Sequence, residues 1–132
     1  MAKPIIGLML GDATGIGPEI SARLLASGAA NGVARVVVIG DQRVLELGMR
    51  DAGVKLGYRV YSAVDAIRWP SEQLPLLDLN NIDPDRFKRG EASAESGRLT
   101  GDTLKFMIDL ALAGKLDGIC FAPLNKGAMH QG

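Results

Sequence analysis

Gly11-Asp12-Ala13-Thr14-Gly15-Ile16-Gly17-Pro18-Glu19 follows directly on the apolar run Ile5-Ile6-Gly7-Leu8-Met9-Leu10. A buried strand that empties into a glycine-rich turn and then opens a helix is where α/β proteins seat ligands. The strand's carboxyl end, the turn's backbone N–H groups and the helix N-terminus converge there on one crevice. Gly11, Gly15 and Gly17 let a ligand come close to the chain, because no Cβ stands in the way. Pro18 suits the first turn of a helix, where its missing N–H is no loss. Glu19 places a negative charge near the positive end of the helix dipole. Asp12 and Thr14 are the polar side chains of the turn with functional reach.

The stretch is not a dinucleotide fingerprint. From Gly11, the G-x-G-x-x-G spacing fails at Ala13, and from Gly15 it fails at Ile20. Nor is it a P-loop, since no Gly-Lys-Ser/Thr follows. A plain tight turn and a ligand site both remain open at this point.

At the far end, Gly118-Ile119-Cys120-Phe121-Ala122 reads as another buried strand, running into Pro123-Leu124-Asn125-Lys126-Gly127. If the two strands are parallel neighbours, Asp12, Thr14, Asn125 and Lys126 share one carboxyl edge. Lys126 there would neutralise a phosphate or carboxylate, or polarise a hydroxyl. The alternative is a solvated surface lysine.

Between these ends the chain alternates. The apolar pattern predicts strands over Ile5–Leu10, Arg35–Gly40, Arg59–Tyr61, Leu74–Leu79 and Gly118–Ala122, the fourth weakened by Pro75. It predicts a helix over Pro18–Ser27 with Ile20, Leu24 and Leu25 inward. A second helix follows the N-cap Asp41, is filled by Val44, Leu45, Leu47 and Met49, and stops at Gly53. A third runs from Ala92 to Gly114, with Leu99, Thr103, Phe106, Leu110 and Ala113 recurring at three and four. The implied fold class is α/β: a mostly parallel sheet with helices on both faces and right-handed crossovers. No repeat or linker divides it, so residues 1–132 read as a single α/β unit.

Composition narrows the function classes. The 132 residues are 47% hydrophobic and 23% charged, an ordinary globular balance. Fifteen basic and fifteen acidic residues cancel, and no basic run suggests nucleic acid or a membrane surface as partner. Lys3 precedes too short an apolar stretch for a signal peptide or membrane span, so a soluble cytoplasmic protein is expected. The single Cys120 excludes an internal disulfide, and its apolar strand suggests a buried, inert thiol. His130 is the only histidine, and one His without neighbouring ligands makes no metal site. Trp69-Pro70 reads as an anchor or turn, Arg86, Lys88 and Arg89 as a small basic loop cluster, and Ser93 as a helix cap.

Gly11–Ile20 resembles the opening motif of the 4-hydroxythreonine-4-phosphate dehydrogenases, G-D-P-A-G-I-G-P-E. Ala122-Pro123-Leu124-Asn125-Lys126 resembles that family's later Pro-Leu/Val-Asn/His-Lys segment. Gly90-Glu91-Ala92-Ser93-Ala94-Glu95-Ser96-Gly97 is similar to its G-x-x-S-A-x-x-G stretch before a long helix. The three occur in the family's order and span the chain. A relative of the first motif also occurs in isocitrate and isopropylmalate dehydrogenases, so the lysine segment supplies the specificity. Two departures stand out. Ala13-Thr14 replaces the usual Pro-Ala, and Asn125 is the form seen in relatives acting on phosphorylated four-carbon acids, where vitamin B6 enzymes often carry His.

The resemblance implies the first domain of an isocitrate/isopropylmalate dehydrogenase-like fold. It implies NAD-dependent (or NADP-dependent) oxidation and decarboxylation of 4-phosphohydroxy-L-threonine or a related 4-phosphorylated four-carbon hydroxy acid; a dehydrogenase of aromatic cis-diols is a related option. The implied site residues are Gly11, Asp12, Thr14, Gly15, Asn125 and Lys126, with Asp12 and Lys126 as catalytic candidates. It also implies a homodimer, and a divalent metal held by histidines that lie beyond His130-Gln131-Gly132, past a G-H-T-E segment. The chain is thus expected to be the amino-terminal segment of a longer two-domain enzyme, inactive alone and prone to self-association through an uncovered sheet edge. Two other readings stay open: a non-catalytic small-molecule-binding module, and an inert truncated fragment.

Overall fold

The computed structural model describes residues 3–10, 17–28, 33–69, 73–80 and 94–121. Five strands, β1 (Ile5–Met9), β2 (Arg35–Gly40), β3 (Tyr58–Tyr61), β4 (Leu74–Asp78) and β5 (Gly118–Phe121), form one sheet in the order β3-β4-β2-β1-β5. Every pairing is parallel. Three helices, α1 (Gly17–Ser27), α2 (Gln42–Ala52) and α3 (Ala94–Leu112), and a single 3-10 turn at Val64–Ala66 make the described connections. All strand carboxyl ends therefore lie along one edge, with β2 central, β1 between β2 and β5, and β5 and β3 outermost.

Alternation along the strands assigns the two faces. Met9, Val37, Ile39 and Leu77 pack with Met107 of α3, and with Val64 and Ile67 from the β3–β4 crossover. Leu10, Val38 and Leu76 point the other way, onto Val44 and Leu45 of α2 and Leu25 of α1. Both faces are covered, which is why the central strands read as unbroken apolar runs rather than alternating ones. The helices stop where their chemistry says they should. The Asp41 side chain accepts the Arg43 backbone N–H at the start of α2, and Gly53 takes the left-handed conformation (φ 68°) at its end.

Pro75 sits in β4 without breaking a ladder. Leu74 donates its N–H to Gly57 on the β3 side, so the next nitrogen faces β2, where pairing begins only at Leu76. The proline stands at the end of that ladder.

Three expectations are corrected. On α1, Ile20 and Leu24 are exposed (43% and 44%), and the buried residues are Gly17, Pro18, Ser21 and Ala22. The helix turns its small residues inward because it packs tightly on α2: a Cβ on Gly48 would fall 3.0 Å from the Pro18 Cβ and closer still to its carbonyl. On α3 the buried positions are Gly97, Thr100, Thr103 and Met107, and Leu99 and Leu110 pack on the core; of the expected stripe, Phe106 is partly exposed and Ala113 lies past the helix, exposed. The Thr103 hydroxyl is accommodated by donating to the Leu99 carbonyl at 3.0 Å. Cys120 is exposed, not buried, because β5 is an edge strand whose last two residues are uncovered.

Candidate active site

The register brings the two motif-bearing strands together. β1 and β5 pair in parallel, Leu8 beside Cys120 and Met9 beside Phe121. The chain leaves both strands on the same edge, from neighbouring positions. Gly11, Asp12, Thr14, Gly15, Asn125 and Lys126 themselves lie outside the described residues, as do Pro70, Arg86, Lys88, Arg89, Ser93 and His130. On the far side of the 11–16 segment the chain re-enters as α1, with Gly17 and Pro18 buried.

The neighbouring half of the same edge, past β2 and β4, carries a polar network that the sequence reading did not single out. Asp41 follows β2 with its side chain only 1% exposed, and its carboxylate accepts from the Arg43 backbone N–H (2.8 Å), Nε (3.0 Å) and Nη2 (2.9 Å). Asp78 ends β4, and its Oδ1 accepts from the backbone N–H groups of Gln42 (3.1 Å) and Asn80 (3.0 Å). Arg43 Nη2 also donates to Asn80 Oδ1 at 3.3 Å. Deeper along α2, the Gln42 amide donates to the Tyr58 hydroxyl, which donates to Glu46. Burial, then the Glu46 carboxylate, hold that phenol above its ordinary value of 10.0, against a smaller opposing effect of the Gln42 donor. The available signal was the Asp-x-Arg after one strand and the Asp-x-Asn after another, each a carboxylate placed to accept from the turn that follows it.

This network bears on the cofactor. A dinucleotide-binding fold puts a ribose-binding acid at the end of its second strand. Asp41 occupies that place, but its buried carboxylate is committed to the α2 cap and to Arg43. The described residues therefore do not fit a dinucleotide in that mode, in keeping with the missing glycine spacing. Among the described residues there is also no cluster of three or more His, Cys, Asp or Glu able to hold a metal ion. Among them, no helix is long and apolar enough to cross a membrane.

Comparison with known proteins adds independent findings. The family model described as pyridoxal phosphate biosynthetic protein PdxA matches residues 32–132. A D-threonate 4-phosphate dehydrogenase of Cupriavidus necator is 39% identical over 129 residues, covering 98% of this chain and 38% of that protein. The crystal structure of a 4-hydroxythreonine-4-phosphate dehydrogenase from Burkholderia phymatum matches with TM-score 0.89 at 34% identity, over 100% of this chain and 40% of that one. The corresponding enzyme structure from Klebsiella pneumoniae gives TM-score 0.83 at 32% identity, over 97% of this chain and 39% of that one. The chain spans about two-fifths of the length of the relatives it matches.

Proposed function

Because this chain belongs to the PdxA family, we propose that it forms the amino-terminal part of a dehydrogenase acting on a 4-phosphorylated four-carbon hydroxy acid. The observation that carries the reading is the register of β1 with β5, which starts the segments after Met9 and Phe121 from adjacent points on one edge. The dehydrogenase names of the relatives supply the reaction class. The substrate leans towards a phosphorylated threonate or erythronate rather than 4-phosphohydroxy-L-threonine, because Asn125 replaces the His of vitamin B6 enzymes and the Cupriavidus relative is named for D-threonate 4-phosphate.

In this reading the glycines at 11 and 15 give the ligand close access to the chain. Asp12 orients the substrate's hydroxyl groups, Thr14 and Asn125 add hydrogen bonds, and Lys126 meets the negative charge of phosphate or carboxylate. The reaction removes a hydride from the carbinol carbon and a proton from its hydroxyl, and the resulting keto acid loses carbon dioxide. NAD (or NADP), when bound, would supply the hydride acceptor. The described residues offer no donor set for the divalent metal that the family resemblance implies. We place the whole enzyme in the cytoplasm as a homodimer, with a phosphorylated small molecule as its ligand and neither nucleic acid nor membrane as partner.

The test is an assay of the protein in its full natural reading frame. Nicotinamide reduction is followed with 4-phospho-D-threonate, 4-phospho-D-erythronate, 4-phosphohydroxy-L-threonine and an aromatic cis-dihydrodiol, each with NAD and NADP. The proposal expects turnover with a phosphorylated four-carbon acid, abolished by a metal chelator. Thermal stabilisation by such an acid with no reduction of either nicotinamide points instead to a binding module, and no response at all to an inert chain.

A further inference from the structure

We infer that Arg43 and Asn80 form a clamp that positions the carboxyl edge of the sheet for its ligand; the inference rests on the dehydrogenase reading above and deepens it. Asn80 is the single non-glycine residue with positive φ (49°) among those described. That conformation strains most side chains, Asn least. It persists here because three bonds over-determine it. Leu79 N–H donates to the Gly40 carbonyl at 2.7 Å, Asn80 N–H donates to Asp78 Oδ1 at 3.0 Å, and Arg43 Nη2 donates to Asn80 Oδ1 at 3.3 Å. A left-handed residue tied to the exits of β2 and β4 stands on the edge where α/β sheets seat ligands, and that is what the clamp rests on.

Arg43 makes the same argument from charge. It stands in the first turn of α2, where a cation opposes the helix dipole and where that turn carries no acidic residue. The acid that meets the positive end of the dipole is Asp41 at the N-cap, one side of the Arg43 pair. The guanidinium spans two acceptors, Asp41 at the end of β2 and Asn80 at the exit of β4. A lysine has no planar fork with which to bridge them in this way. Asp78 closes the unit, since its Oδ1 takes N–H groups from both Gln42 and Asn80. The exits of β2 and β4 are thereby fixed to each other, beside the exit of β1. Arg43 and Asn80 are positioning residues: they set the direction of the chain and touch no reacting atom.

The test is a double-mutant cycle in the whole enzyme. Asn80→Gly keeps the backbone angle and removes the acceptor, Arg43→Gln removes the donor fork, and Asn80→Asp keeps an acceptor. Each of the first two is expected to raise KM about tenfold, with kcat within about twofold of the parent. The double variant should be no worse than the poorer single one, and Asn80→Asp should stay near the parent. Additive losses, or an unchanged KM, overturn the clamp. Hydrogen exchange at the Leu79 amide gives a readout independent of turnover, expected to be about tenfold faster in both single variants. If the parent enzyme reduces no nicotinamide, the dehydrogenase reading fails and that exchange rate alone decides: faster supports the clamp, unchanged overturns it.

Discussion

Met9 and Phe121 stand side by side in register at the carboxyl ends of β1 and β5. One pairing thus joins the two ends of the chain and gives the glycine-rich segment and the lysine segment a common origin. Among the described residues, α1 carries the chain from β1 to β2, which lies on the side of β1 away from β5. In open α/β sheets the carboxyl ends of the strands are where ligands bind.

Lys126 is the group by which this geometry becomes testable. If it meets substrate charge, Lys126→Met in the whole enzyme lowers kcat/KM by about tenfold to a hundredfold, the loss of one charge-assisted hydrogen bond. Steady-state kinetics beside a melting curve measure it. A fall in kcat/KM with an unmoved melting temperature fits the proposal, whereas unchanged kinetics return Lys126 to the solvated surface.

Gly48 of α2 lies directly against the Pro18 backbone of α1. A Cβ there would lie 2.6 Å from the Pro18 carbonyl carbon, against backbone that cannot step aside alone. Gly48→Ala is expected to cost about 2 kcal/mol or more, outweighing alanine's better helix propensity. Urea unfolding reads this directly, and a variant as stable as the parent would show that the two helices slide apart freely.

The same contact explains where the sequence misleads. Ile20, Leu24 and Leu25 look like the inward stripe of α1 by hydrophobicity, yet of these only Leu25 packs on the core, and the buried residues are Ser21 and Ala22 with Gly17 and Pro18. Close helix packing selects for size, which an apolar count does not register. Cys120 failed for a different reason: an apolar edge strand has the composition of a central one, and only the strand order tells them apart. By contrast, the α2 boundaries at Asp41 and Gly53 were legible, because each is set by a local bond within a few residues. So were the interior strands, whose burial on two faces demands unbroken apolar runs. For the candidate site, the sequence offered the motif residues but not the Asp41–Arg43–Asn80–Asp78 network, which joins residues distant in the chain.

Asp41 caps α2 and holds Arg43 with a carboxylate that is nearly out of solvent. Asp41→Ala removes the cap acceptor and the ion-pair partner together and should cost about 2 kcal/mol. Asp41→Asn keeps a capping oxygen and should cost about 1 kcal/mol or less, since the half-exposed Arg43 (45%) can turn to water. Denaturant titration of both variants checks the order. Equal losses would mean that the charge, not the cap, is what matters at this position.

Tyr58 ties β3 to α2 through its hydroxyl, which donates to Glu46 and accepts from Gln42. Its phenol is held above 10.0, chiefly by burial and then by Glu46, because ionisation would place an anion in a partly buried site beside a carboxylate. The folded state thus favours the protonated form. The stability this provides is fully present below the unfolded value and is lost as pH rises through the higher folded one. Tyr58→Phe should lower stability by about 1 kcal/mol at neutral pH, through the lost hydrogen bonds. It should also flatten the alkaline decline, so that the difference between parent and variant shrinks above about pH 10. Denaturant unfolding of both proteins from neutral to alkaline pH measures that difference. A gap that stays constant across the range would mean that the Tyr58 phenol titrates alike in the folded and unfolded chains.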